Sequence, residues 1–376
     1  MSFGVDLRYS VEPTTTAEGL ASLESDWNRL SGSAPSPNVF MTYDWFRAWN
    51  QLCLREPHRG VRRPNVLVLK KDSVVAGISP LIYRETSRFG LAVRKLEFVG
   101  EHSDYNDLVL GNDPAGQIKA IVDFLIQAQD RWDLVDLRDL REAGMTRALM
   151  EGALSHTRLL YRILPEKGRC PYLSIGSDSA TIMAGLSGHV RRTLRKRMER
   201  ARALGLRTRI IENPHEERGL LARMIAVEHQ KHLHGKLSRP FVGEYRDVFQ
   251  SLFDTLGPHG WIYIALMEQG DHLVAWQVGF RCGKALWDYN KAYDPVFSQL
   301  APGTILVPSV LDYGLSHGFE EYDFLRGEEP YKMIWSSGHH DRFRLLIRNP
   351  CRNSRARAFV YLDLKEAVYR LFGKRD

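Results

Sequence analysis

From Thr16 to Leu30 the apolar residues Leu20, Leu23, Trp27 and Leu30 recur at three- and four-residue steps, which predicts an amphipathic helix. The same spacing returns in TYDWFRAWNQL, where Trp45 and Trp49 share one face and Thr42 is placed to cap; a tryptophan pair of this kind belongs to a core. Alternation and short apolar runs then take over. VDLRYSV predicts a first strand, NVLVLKK and VVAGISPLIYRE a hairpin around Lys71-Asp72-Ser73, and KLEFVG, DLVLG and LVDLRDL further strands, with helices near 115–129 and 146–156. Strands alternating with helices describe an α/β first half.

Punctuation by Pro, Gly and Ser in RILPEKGRCPYLSIGSDSA places a domain junction between about 160 and 180. Beyond it, residues 186–204 form a helical pattern with Leu186, Val190, Leu194, Met198 or Ala201, and Leu204 along one stripe, ended by Gly205. Its remainder carries Arg191, Arg192, Arg195, Lys196, Arg197, Arg200 and Arg202 against Glu199 alone. That imbalance fits either a solvated face or contact with RNA, phosphates or an acidic membrane surface. A strand (LRTRIIEN), a helix ending near His229, His232 and His234, and a helix over 241–256 follow. His229 and His232 lie one turn apart and His234 points elsewhere, so no metal site is expected. WIYIALMEQ and HLVAWQVGFRC pair around Gly270-Asp271, KALWDYNKAYD adds a third strand, and Pro302-Gly303-Thr304 opens a helix that runs to His317 and stops at Gly318. Pro308 falls early in that helix, where its cost is small. EEYDFLRG reads as a strand, DRFRLLIRN as the last one, and 354–372 as a final basic helix.

A chain of 376 residues exceeds one ordinary core, and an apolar fraction of 44% implies well-folded domains rather than disorder. The formal charge of +7 points to anionic partners without choosing among nucleotide phosphates, nucleic acid, acidic glycans and lipid headgroups. Cys53, Cys170, Cys282 and Cys351 are too scattered for a disulfide framework or a zinc site. With no long apolar run and no signal-peptide pattern in MSFGVDLRYS, a soluble cytoplasmic protein is expected.

Candidate chemistry collects in 301–335. A helix entrance offers backbone N–H groups to an anion, and the exit of the EEYDFLRG strand carries Arg326, Glu328, Glu329, Tyr331 and Lys332. The plainer reading is a helix start beside a surface ion-pair turn. In the first half, EHSDYND gathers Asp104, Tyr105 and Asp107 in one connection that either lines a polar site or simply caps turns.

The element order of the second half resembles the GNAT acyltransferase fold. WQVGF, YDP, PGT and YDFLRGEEPYKMIW are similar to CelD-type acetyltransferases associated with cellulose biosynthesis, relatives of the Fem-type peptidyltransferases; DWFRAW, PLIY and SDYNDLVL extend the resemblance to the first half. It implies tandem GNAT-like domains of α/β class with mixed sheets: a degenerate, acceptor-shaping domain over 1–165, a linker and basic helix over 166–205, a donor-binding domain over 206–350 and a C-terminal helix over 351–376. It implies acetyl-CoA or another acyl-CoA as co-substrate, without a metal, and a glycan or envelope-precursor acceptor for an N- or O-acyl transfer.

Carried onto this sequence, the donor site comprises Gln299, Gly303 and Thr304, with the strand residues Tyr289 and Lys291 facing the acyl group. The family's glycine-rich entrance is altered here, since Pro302 and Thr304 occupy two of its small-residue places. Asp323 or Glu328 is the expected proton acceptor, Tyr331 the leaving-group acid or oxyanion donor, Lys332 with Arg326 an anion clamp, and Asp104, Tyr105 and Asp107 the acceptor-side residues. Two further readings follow from the same resemblance. One is a Fem-like transferase using aminoacyl-tRNA held by helix 186–204; the other is a silent adaptor of an exopolysaccharide assembly, bound to the inner membrane face through its basic helices.

Overall fold

A computed structural model describes residues 8–34, 36–55, 61–88, 90–99, 102–233 and 245–362. The chain divides into two compact units, Met1–Lys167 with Asp341–Asp376, and Gly168–His340.

The first unit holds two sheets. One is antiparallel, in the order Ser10–Thr14, Val66–Lys71, Val74–Ser79, Val109–Leu110. The other runs Val61–Pro64, Leu81–Arg88, Leu91–Phe98, Leu134–Arg141, Arg342–Arg348, Leu160–Pro165, with a parallel step between Leu91–Phe98 and Leu134–Arg141. Alternate residues of these strands meet helix Pro114–Gln127 in one core that includes Leu96, Phe98, Val135, Leu137, Ile118 and Ile121. Trp45 and Trp49 are buried as expected, and Thr42 Oγ1 accepts from the Trp45 amide at 3.2 Å. The pattern read as one helix over 16–30 is two, Ala17–Ser22 and Glu24–Gly32, meeting at Leu23.

The strand Arg342–Arg348 corrects the expectation that it closes the second domain. Leu345 and Ile347 complete the first unit's core, and Arg344 reaches Asp136 at 2.7 and 2.9 Å. Helix Arg352–Leu362 returns to the same unit through Asp133, which is fully buried and accepts from the Arg94 amide and side chain, from Ser354 Oγ at 2.6 Å and from Arg357 at 3.5 Å. The expected continuation of this helix to 372 lies outside the described residues. Burial by itself would raise the Asp133 carboxyl; the hydrogen bonds from Arg94 and Ser354 outweigh it and hold the pKa below the usual value. Asp133→Asn is therefore expected to lower stability by about 3 kcal/mol at neutral pH. Because the folded-state pKa is the lower one, the native advantage is present above about pH 4 and fades as pH falls through the folded value. Urea titrations of both proteins between pH 2 and 7 check this as a gap that closes towards acid.

The second unit is one seven-stranded sheet in the order Arg207–Ile211, Ile262–Gln269, His272–Cys282, Ala285–Tyr293, Glu321–Asp323, Cys170–Ser174, Gly338–His340. Its pairs are antiparallel except Ala285–Tyr293 with Glu321–Asp323, which run parallel across the helices between them. The basic helix is Gly188–Ala203, capped by Ser187 and seated on this unit's core through Leu194 and Ala201, with Val190 and Met198 partly buried beside them. Of the histidine run, His229 is exposed on helix Leu220–Leu233, whereas the His232 side chain and His234 lie outside the described residues.

Candidate active site

The site begins with a fault in a strand. Along the antiparallel pair His272–Cys282 and Ala285–Tyr293, Gly279 faces Asp288 and Val278 faces Asn290, so Tyr289 is an extra residue with no opposite number. In a regular strand Asp288 and Lys291 would point to opposite faces; the bulge brings them to the same one. There Lys291 Nζ lies 2.5 Å from Asp288 Oδ2, with the Asp288 side chain 1% and the Lys291 side chain 14% exposed. Burial drives the lysine pKa down from its ordinary value, and the neighbouring Asp288 carboxylate opposes that shift.

A second irregularity opens space beside the pair. The parallel pairing of Ala285–Tyr293 with Glu321–Asp323 stops at Trp287 opposite Asp323, after which the two segments separate. A cleft of about 480 Å³ occupies the wedge, lined by residues 288–291 and Tyr293 on one side, Arg326, Glu329, Tyr331 and Lys332 on the other, and Ser298, Ala301, Gly303 and Thr304 between. Lys291 Nζ sits 4.5 Å from the centroid of the Tyr331 ring. Burial, then the nearby Asp288 and Glu329 carboxylates, raise the Tyr331 hydroxyl, so it stays protonated at ordinary pH and can donate but not act as a base. Asn290 adds a buried Nδ2 donor with no hydrogen-bond partner among the described residues.

The far wall is a tight turn. Asp323 Oδ1 accepts from the Leu325 amide at 2.8 Å, Leu325 and Gly327 take positive φ (53° and 116°), and Pro330–Trp335 forms a short helix. A Cβ on Gly327 would meet the Glu329 carboxylate at 2.4 to 2.8 Å, and the positive φ itself favours glycine. Lys332 staples the turn: its Nζ donates to Arg326 O at 2.7 Å, approaches Glu329 Oε2 at 3.1 Å and lies 3.4 Å from Leu325 O. Three protons thus have three acceptors, so Lys332 supports the wall.

The helix expected from Pro302 to His317 is broken into Pro302–Ile305 and Val307–Ser316, as befits Pro308, which lacks the N–H that Thr304 O would accept. Ala301 enters it with left-handed φ and ψ of 48° and 63°. The amides of Thr304 and Ile305 both turn back to Ala301 O, at 2.8 and 3.2 Å, and Leu306 N bonds Pro302 O. With Pro302 lacking a donor, the entrance offers an anion little beyond the Gly303 amide. Gly303 itself stands against Lys291, whose Cδ would lie 3.1 Å from an added Cβ.

The structure thus brings together Tyr289, Lys291, Gly303, Thr304, Arg326, Tyr331 and Lys332 of the residues expected from the sequence. Asp323, wholly buried, and Glu328, exposed, lie outside the cleft wall, as does Gln299, which instead accepts from Arg200 at 3.3 Å. Asp323 faces another group: His340 Nε2 is 3.2 Å from both Glu321 oxygens and 4.0 Å from Asp323 Oδ2, with the Tyr172 ring stacked on the imidazole at 4.5 Å. In the first unit, Asp104 and Tyr105 are buried, and the Arg141 guanidinium lies 5.0 Å from the Tyr105 ring centroid. Asp107 accepts from the Leu108 amide and Thr146 Oγ1 at the start of helix Met145–Ser155; burial raises its pKa and these bonds oppose the shift. These contacts build the first unit's own fold. Sequence reading missed Asp288 and Asn290. For Asp288 no period would have revealed it, because only the bulge sets it beside Lys291.

Residues 188–333 match the family model described as an acetyltransferase (GNAT) domain. No curated protein matches the chain in sequence. Among solved structures, a conserved protein of unknown function from Bacteroides thetaiotaomicron superposes with a TM-score of 0.56 at 12% identity, over 90% of this chain and all of the other. FemX superposes with a TM-score of 0.56 at 11% identity, over 96% of this chain and all of FemX. The C-terminal domain of a putative lysylphosphatidylglycerol synthetase from Agrobacterium fabrum gives 0.51 at 12% identity, over 88% and 97%. At such identities the likeness is one of fold.

Proposed function

We propose that this chain, which contains a GNAT-type acyltransferase domain, moves an acyl group from acyl-CoA to an amine or hydroxyl of a glycan or other cell-envelope precursor, reached from the cytoplasmic side. The observation that carries the reading is the Asp288–Lys291 pair beside Tyr331 in the cleft. Acyl transfer forms a C–N or C–O bond and breaks the C–S bond. The attacking group must lose a proton, the carbonyl oxygen must be held as negative charge develops, and the departing thiolate must be protonated. Asp288 with Lys291 takes the first proton as one unit; Lys291 and Tyr331 donate to the carbonyl oxygen as its charge develops; the Tyr331 hydroxyl, kept protonated, supplies the thiolate. Asn290 Nδ2 is free to hold an amide of the donor's arm. The resemblance to CelD-type acetyltransferases supports an acceptor of the envelope.

Calorimetric titration of acetyl-CoA and a longer acyl-CoA tests the donor. Saturable binding is expected, weakened at least about tenfold in Gly303→Trp, whose indole would occupy the space beside Lys291. Failure of the native protein to bind either thioester would overturn the donor assignment and direct attention to an aminoacyl-tRNA donor.

A further inference from the structure

A CoA donor carries several phosphate charges, and the closed entrance turn leaves them short of backbone partners, since Pro302 has no N–H and the amides of Thr304, Ile305 and Leu306 are bonded within the turn. Another source of positive charge stands next to it. Helix Gly188–Ala203 packs on Pro295–Leu300 and Pro302–Ile305, and the Arg200 guanidinium reaches Gln299 Oε1, between the cleft-wall residues Ser298 and Ala301 in sequence. Lys196 and Arg197 stand four and three residues before Arg200, the spacing that sets side chains on one side of a helix. Lys196 and Arg200 are exposed and Arg197 is half-buried. The Arg200 contact with Gln299 does not serve the core, which the helix meets through Leu194 and Ala201.

We infer that Lys196, Arg197 and Arg200 hold the phosphates of the donor, replacing a backbone-amide cradle with side-chain cations. This rests on the reading of acyl-CoA as donor. Guanidinium groups suit the task because they stay charged and present paired donors to phosphate oxygens. It also gives the basic excess of this helix a ligand, with Gln299 as the neutral group on which Arg200 rests between turnovers.

The test is calorimetry of the full chain with acetyl-CoA and with acetyl-pantetheine, the thioester without phosphates, in low and high salt. The native protein is expected to bind acetyl-CoA at least tenfold more tightly, with an advantage that shrinks as salt rises. Arg200→Gln should lose about tenfold for acetyl-CoA and nothing for acetyl-pantetheine. Arg195→Gln, about 140° round the helix from Arg200, should bind both as the native protein does. Unchanged acetyl-pantetheine binding also shows that the Arg200→Gln variant is folded. If the native protein binds both thioesters equally, or if Arg200→Gln keeps full affinity for acetyl-CoA, the inference is overturned while the acyl-CoA reading stands. If the native protein binds neither thioester, both fall.

Discussion

Replacing Lys291 with methionine is expected to lower kcat/KM for acyl transfer by about 10²- to 10³-fold, the usual effect of losing a preorganised charge at a developing oxyanion. It should also destabilise the protein by about 3–5 kcal/mol, because the Asp288 carboxylate, 1% exposed, then keeps its burial and loses the ammonium 2.5 Å away. The two effects separate in a second variant. Asp288→Leu with Lys291→Met removes both charges and should recover much of the stability, since an apolar pair can replace a buried ion pair at little cost. Activity should not return. Chemical denaturation and thiol-release kinetics on the native protein and both variants read the two quantities. Full transfer activity in Lys291→Met would reduce the pair to a structural element. There is a pH signature as well. Folding depresses the Lys291 pKa, so between that value and the ordinary lysine value the unfolded chain binds more protons. Native stability gains from this group as pH rises through that window, and the methionine variant should lack the gain.

The importance of that pair explains how far the sequence could be read. Elements with an uninterrupted period were legible: Trp45 and Trp49 at four-residue spacing lie in a core, and the Gly188–Ala203 stripe seats Leu194 and Ala201. The hairpin Ile262–Gln269 with His272–Cys282 forms around Gly270, whose φ of 57° its turn uses. What was lost were departures from a period. The strand expected over EEYDFLRG is only Glu321–Asp323, because Leu325 and Gly327 leave the extended region and turn the chain into the cleft wall. The strand Arg342–Arg348 has the composition of any buried strand, and composition does not say which sheet a strand joins; pairing with Leu134–Arg141 does. Charged residues were equally hard to sort. Lys332 and Lys291 lie in the same cleft, yet one has all its protons engaged by the turn and the other stands over an aromatic ring beside a carboxylate. Only the acceptors around each nitrogen distinguish a support from a reactant.

The bulge that makes the site can itself be challenged through Gly279. A Cβ there would lie 2.2 to 2.4 Å from Cζ, Cε1 and the hydroxyl of Tyr263, inside any tolerable contact. Tyr263 has no room to retreat: it is fully buried, and Gln277 Nε2 lies 3.3 Å from its hydroxyl while donating to Tyr322 at 2.8 Å. Gly279→Ala is therefore expected to cost about 3 kcal/mol, the upper range for overpacking. Because Gly279 pairs with Asp288, the same shift should disturb the carboxylate and reduce transfer more than the loss of stability accounts for at a temperature where the variant is still folded. Gly303→Ala is the contrast, since its added methyl meets only the Lys291 stem at 3.1 Å, a flexible chain able to move. Denaturation midpoints should fall sharply for the first and hardly for the second. The clash is identified by a cycle with Tyr263→Leu, which removes the ring: in that background the alanine at 279 should cost less than about 1 kcal/mol. A cost that persists without the ring would place the strain in the strand's own backbone, and the site's dependence on Gly279 would then come from the bulge conformation rather than from the tyrosine packed against it.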